Sequence, residues 1–302
     1  MPDGLRLSPG VRQRTLRLEM SDGVVLRVLE FIPPQGENPQ EPVIVFVSGA
    51  ISPLSAWQAI LKVLTARHTV LFVETREKET ARLPVGRSVY FGMDRLREDL
   101  DEVLGEKVLG TRQHCFAGCS LGATVILEHL ARTDRLPLAT ALIAPNSDFR
   151  IPFWLLTPAR MIPLPLFNSI KPLLKWYYGK VLVDVESEPE QAARYRQMID
   201  SAQPARLRRA GLDLQRYRGW ETFAKVTAPV LVVTGESDTL HSLPKMKKIV
   251  STLPNAQLEI MESDRETHSA AFGHLVIDRI AAAMADQGPS EEADKESSER
   301  ME

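Results

Sequence analysis

The chain has 302 residues, 44% hydrophobic and 25% charged, with a formal net charge of −2. That is ample material for a sizeable core in one large domain or one domain carrying an insertion. The near-neutral balance gives no reason to expect a nucleic acid or an anionic surface as partner.

The opening segment MPDGLRLSPGVRQRTL contains no apolar h-region, so no secretory signal is read there, and a cytoplasmic location is expected. TLRLEM and VVLRVLEF alternate apolar and polar residues around the turn SDG and predict an N-terminal hairpin. VIVFVSG follows as a continuous apolar β-branched run, the pattern of a strand buried on both faces. SPLSAWQAILKVLTA reads as an amphipathic helix and TVLFVET as a second buried strand. The densely charged turn ETREKETAR, residues 74–82, is expected to be a solvated loop at the rim, or a contact for a polar head group or carrier phosphate. In the segment that follows, Met93, Leu96, Leu100, Val103 and Leu104 recur at helical spacing.

Then come the strand HCFAGCS, the helix LGATVILEHLA and the strand ATALIAP. The chain's two cysteines, Cys115 and Cys119, sit at i and i+4 of that first strand, too far apart along it to bridge, which fits a reducing compartment. After Pro145 about eighty residues pass before the next strand, far more than an ordinary connection. They read as several helices (FWLLTPARMI, LFNSIKPLLKWYYGKVL, EPEQAARYRQMID, ARLRRAGLDLQRYRGWETF), and no apolar run among them is long and unbroken enough to span a membrane. An insertion at the carboxyl end of a strand lies over the ligand site of an open α/β sheet, so residues 149–222 are expected to form a cap. APVLVVTGESD, SLPKMKKIVSTL, AQLEIMES and HSAAFGHLVIDRIAAAM complete the strand–helix alternation. The fold class is therefore α/β: a mostly parallel sheet with helices on both faces and a helical cap, the core spanning 1–148 and 223–287. The acidic, serine-rich tail 288–302 is expected to be disordered.

Gly118-Cys119-Ser120-Leu121-Gly122 fits G-x-S-x-G and lies between a predicted strand and a predicted helix, the context in which that motif lifts a serine hydroxyl on a sharp turn. A serine at that place also serves as an ordinary helix N-cap. With GCSLG after the fifth strand, TGESD after a later strand, a histidine after the last strand and a helical insertion between the sixth and seventh, the chain resembles the α/β-hydrolase superfamily. The resemblance covers nearly everything except the first dozen residues and the tail, and the order Ser…Asp…His is that of the superfamily.

The resemblance implies Ser120 as nucleophile, Asp238 as the acid that steadies an imidazole, and His268 as base. Asp148, after the sixth strand, is a rival acid, Glu236 lies two residues early, and Asp238 also suits a turn. His268 and His274 both follow the last strand. His268 opens the helix and can reach back over the strand ends, whereas His274 lies inside it. His241, close after Asp238, is read as a pocket wall. The resemblance further implies an oxyanion hole from the N–H groups of Leu121 and Ala50. Here the chain departs from its relatives, carrying Ser48-Gly49 where they often have His-Gly.

The implied activity is that of a serine hydrolase cleaving a carboxylic ester or thioester through an acyl-enzyme on Ser120. A small-to-medium apolar small molecule is the expected substrate, with Phe153, Trp154 and Trp57 as binding residues. Acyl transfer by the same residues, or a binding protein built on the same fold, are the alternatives. No metal or other cofactor is expected, since neither ligand spacing nor a phosphate or dinucleotide fingerprint occurs. Serine at the elbow disfavours the dehalogenase and epoxide-hydrolase members, which use aspartate. Lys171, Lys175 and Lys180 beside the aromatic residues of the cap would also suit peripheral contact with a membrane.

Overall fold

A strand that hydrogen-bonds on both edges and packs on both faces tolerates no polar alternation, and the apolar runs become such strands. In the computed structural model, which describes residues 4–50, 52–105, 109–149, 203–238 and 241–286, the chain begins with β1 (Arg12–Glu19) and β2 (Val25–Ile32), paired antiparallel. β3 (Val43–Val47), β4 (Val70–Val73), β5 (His114–Cys119), β6 (Thr140–Ile143) and β7 (Val230–Gly235) are buried at every position. β8 (Ala256–Met261) is the half-exposed far edge. The sheet has eight strands in the order β1-β2-β4-β3-β5-β6-β7-β8. β2 also meets β4 antiparallel, and every pairing from β4 onward is parallel.

The register decides where chemistry can occur. Val47 pairs with Gly118, Cys119 with Ile143, and Ile143 with Val233. The carboxyl ends of β3, β5, β6 and β7 therefore line up, and the loops that follow them meet above one edge, where an open α/β sheet binds ligands.

Helix α1 (Gln58–Leu64) follows β3, α2 (Met93–Val103) precedes β5 and α3 (Leu121–Leu130) follows it. All five apolar positions anticipated for α2 are buried, Leu104 as its C-cap. Beyond the insertion come α4 (Pro204–Leu214), α5 (Trp220–Phe223), α6 (Leu243–Thr252), α7 (Asp264–Thr267) and α8 (Ala270–Asp286). α1 packs against α8 and α2 against α3. No helix among the described residues is long and apolar enough to cross a membrane.

The helix expected over ARLRRAGLDLQRYRGWETF is interrupted between α4 and α5. Arg218 pairs with Asp148 as an antiparallel bridge and the Gly219 N–H donates to the Ser147 carbonyl (2.8 Å). Backbone groups used that way cannot also close helical turns. The other helices expected in the insertion, with Phe153 and Trp154, lie outside the described residues, as does the tail 288–302.

The charged run 74–82 is no solvated loop at its start: Glu74, Arg76, Glu77 and Lys78 are all buried. Each has a partner, as burial of charge demands. The Arg76 guanidinium grips Asp99 (2.6 and 2.5 Å) and Asp22 (2.6 and 3.3 Å). Arg27 takes Glu74 in a two-pronged pair (2.6 and 2.8 Å). Charge density alone reads as surface; here it is a buried ionic frame.

At the opposite end of β5, His114 is 2% exposed. Burial, reinforced by the charges of Arg135 and His129, pulls its imidazole down from 6.5 to about 4. Below pH 6.5 the unfolded chain binds a proton that the native chain refuses, so stability present above 6.5 is lost as the pH falls to about 4. Urea denaturation at pH 7, 5.5 and 4.5 should show a shallower acid loss for His114→Gln than for wild type, by up to about 3 kcal/mol. Equal slopes would contradict it.

Candidate active site

β5 hands over to α3 at Ser120, whose backbone sits at φ 49 and ψ −112. A side chain strains this left-handed backbone, at a cost on the order of 1–3 kcal/mol, and such strain persists only where the surroundings enforce it. The Ser120 N–H donates to Ile143 O (2.8 Å), while the Thr124 N–H (3.0 Å) and hydroxyl (2.9 Å) both point at Ser120 O. The flanking glycines allow α3 to start this close to the sheet. A Cβ on Gly122 would lie 2.2 Å from Val47 O and 2.6 Å from Ser48 O, and one on Gly118 would lie 2.6 Å from Ile126 Cδ1.

The Ser120 side chain makes no capping bond. Its Oγ lies 3.2 Å from His241 Nε2 and accepts from Asn146 Nδ2 at 3.0 Å. His241 Nδ1 lies 3.0 Å from Asp238 Oδ2, and the His241 backbone N–H donates to Asp238 Oδ1 (2.9 Å). A buried carboxylate on Nδ1 keeps the proton there and leaves Nε2 as the acceptor for the serine hydroxyl.

The structure links Ser120 and Asp238 through His241, and not through the expected His268. His268 Nε2 lies 3.8 Å from Cys119 Sγ, and its ring stacks on Trp57 with centroids 5.1 Å apart. Its Nδ1 is held by its own turn, 3.0 Å from Asp264 O and 2.9 Å from Thr267 Oγ1. The turn responsible is α7, whose Ser263 cap accepts from the Glu266 N–H (3.3 Å). Its sequence signal is Ser263-Asp264-Arg265-Glu266, with serine three before glutamate. His274 is exposed on α8, and Asp148 accepts from Ser147 Oγ (3.2 Å) with Lys245 Nζ at 3.8 Å. Trp57 is 1% exposed, so it is a floor under His268 rather than an open wall. Cys115 and Cys119 are both buried and form no disulfide.

Leu121 opens α3, where a backbone N–H has no carbonyl one turn earlier to bond. Ala50 lies in the turn after β3, and the buried frame reaches this turn directly. Lys78 Nζ donates to Gly49 O and Ser52 O, each at 2.8 Å, and Ser52 Oγ also donates to Gly49 O (2.8 Å). Burial pushes the Lys78 amine below its ordinary value, against the pull of the Glu77 and Glu74 carboxylates. From the returning insertion, Arg206 donates to Lys78 O and to Ala81 O.

The family profile described as the alpha/beta hydrolase family matches residues 44–283. The chain belongs to that family. Solved structures of similar fold include a hydrolase from Pseudomonas aeruginosa PA01, 18% identical with a TM-score of 0.70, covering 88% of this chain and 98% of that one. A thermophilic esterase from Thermogutta terrifontis is 14% identical with a TM-score of 0.69, over 90% and 99% of the two chains. An enol-lactonase from Burkholderia xenovorans LB400 is 17% identical with a TM-score of 0.69, over 88% and 100%. Among curated proteins none matches. At these identities the likeness is one of fold.

Replacing Lys78 by Met should leave the Gly49 and Ser52 carbonyls without that donor, at about 1–3 kcal/mol. The expected result is a lower melting temperature and an ester turnover reduced about tenfold or more as the β3 turn beside Ser120 shifts. Unchanged turnover in a folded Lys78→Met protein would contradict this support role.

Proposed function

We propose that this α/β hydrolase is a serine esterase: Ser120 attacks the carbonyl carbon of a carboxylic ester, His241 is the base, and Asp238 orients and steadies it. The observation that carries this reading is the continuous relay from Asp238 through His241 (3.0 Å) to Ser120 Oγ (3.2 Å) on a strained turn. His241 Nε2 takes the serine proton as the Oγ–carbon bond forms, then returns it to the departing alcohol. The backbone N–H groups of Leu121 and Ala50 are the donors for the tetrahedral oxyanion. Water activated by the same imidazole releases the acid.

An ester or lactone of a small-to-medium apolar molecule is the proposed substrate. The aromatic residues of the insertion, Phe153 and Trp154 first, would receive its acyl part. The esterase and enol-lactonase of similar fold support cleavage of an acyl–oxygen bond. A second reading makes His268 the base, in keeping with the superfamily's histidine after the last strand. It is favoured by the 3.8 Å approach of His268 Nε2 to Cys119, the residue just before the nucleophile.

Initial rates on p-nitrophenyl butyrate separate the two. Ser120→Ala and His241→Ala should each lose about a thousandfold or more in kcat, and His268→Ala less than about tenfold. The inverse ranking of the two histidines would transfer the base role to His268. Indifference to all three substitutions would leave a binding protein on a hydrolase fold. Across p-nitrophenyl esters of increasing length, kcat/KM should rise from acetate to mid-length acyl groups; a preference for acetate would contradict an apolar acyl site.

A further inference from the structure

Besides His241, one side chain among the described residues meets the Ser120 hydroxyl, and no motif marks it. Asn146 follows β6 by three residues, and its Nδ2 stands 3.0 Å from Ser120 Oγ and 3.4 Å from His241 Nε2. The chain constrains its backbone heavily to deliver it there. Ala144, two residues earlier, has φ 45 and is the only non-glycine residue other than Ser120 with a positive φ among the described residues. Its N–H is tied to Val233 O (2.9 Å). The Asn146 N–H donates to Thr124 Oγ1 (2.8 Å), and that hydroxyl lies 3.2 Å from Asn146 O and 2.9 Å from Ser120 O. One threonine therefore fastens the nucleophile turn and the asparagine to each other, and Asn146 is 8% exposed. Strain in a loop that ends on a reacting atom is the pattern expected of function rather than of packing.

An amide N–H takes no proton, so Asn146 is not a base. In the resting enzyme the donor already bonds the neutral Oγ, so it gains little as the serine attacks. In the acyl-enzyme Oγ is an ester oxygen and a poor acceptor, so the same donor gains more as Oγ departs and negative charge builds on the atom it faces. Resting on the serine-esterase reading above, we propose that Asn146 is a catalytic residue of deacylation, donating from Nδ2 to Ser120 Oγ as the acyl-enzyme breaks down. In that step water loses a proton to His241 Nε2 and its oxygen bonds to the acyl carbon, giving a tetrahedral oxyanion. The oxyanion then re-forms the carbonyl and the bond from the acyl carbon to Oγ breaks. The electron pair stays on Oγ, which takes the proton back from Nε2, and the free acid leaves. Asn146 exchanges nothing; it lowers the energy of the departing oxygen.

The test follows p-nitrophenyl acetate turnover and the mass of the intact full-length chain for wild type, Asn146→Ala and the isosteric Asn146→Asp, which has no donor at neutral pH. In both variants kcat should fall at least about tenfold with KM falling alongside. Then kcat/KM stays within about threefold, a burst of one nitrophenolate per chain precedes the slow phase, and an acetyl adduct accumulates on the Ser120 peptide. Asn146→Asp preserves the side-chain volume and decides the matter if Asn146→Ala does not fold. The inference is overturned if kcat and kcat/KM fall together without adduct, or if neither changes. Fluorophosphonate labelling separates that failure from failure of the underlying reading: variants that label like wild type but never accumulate adduct overturn the role of Asn146 alone. A wild type that does not label overturns both.

Discussion

The whole site depends on one backbone distortion, the left-handed turn at Ser120 between β5 and α3. An L-residue does not hold that conformation unaided. It persists because α3 starts against the end of β3, where Gly122 has no Cβ to collide with the Val47 and Ser48 carbonyls. It persists also because the Ser120 N–H and carbonyl are committed to Ile143 and Thr124. The hydroxyl is thereby turned away from helix capping, the ordinary use of a serine at a helix start, and toward the loops after β6 and β7. Parallel register supplies those loops at the right height: the ends of β3, β5, β6 and β7 are paired neighbours, so four separate connections meet at one serine.

Around the turn, the protein uses buried charge as scaffolding. Arg76 with Asp99 and Asp22, Arg27 with Glu74, and Lys78 on two carbonyls of the β3 turn form a frame beneath the site. Ion pairs in the interior contribute little net stability against their desolvation, but loss of one partner leaves a costly orphan. Such a frame therefore specifies position more than it strengthens the fold. Arg206 links the returning end of the insertion to the carbonyl of Lys78, so that segment and the turn carrying Ala50 share one support.

Much of this was legible in the residues. VIVFV is an unbroken apolar, β-branched run typical of a strand covered on both faces, and the strand–helix alternation points to a parallel sheet. GCSLG in its strand–helix setting marks the strained turn at Ser120, and TGESD the loop that carries Asp238. What escaped reading depended on direction rather than on pattern. His241 and His268 are both close in sequence to loops that end at the site. Which ring meets the serine is decided by the short α7, which ties His268 Nδ1 to its own turn. The 74–82 run looked like surface because sequence shows charge density and not pairing; Asp22 and Asp99 lie far away along the chain. Asn146 carried no signal at all, since an asparagine after a strand is ordinary loop chemistry until Thr124 and the strained Ala144 are seen to aim it.

The proposed chemistry requires Ser120 to act as a nucleophile from its hydrogen-bonded place beside His241 and Asp238. Its most direct measurement is peptide mapping by mass spectrometry after treatment of the full-length chain with a fluorophosphonate. The account predicts a single phosphonyl adduct on the peptide that carries Ser120, formed at an enzyme-like rate and lost on heat unfolding before treatment. An intact, folded chain that takes no adduct there, or takes it on a different residue, would contradict it.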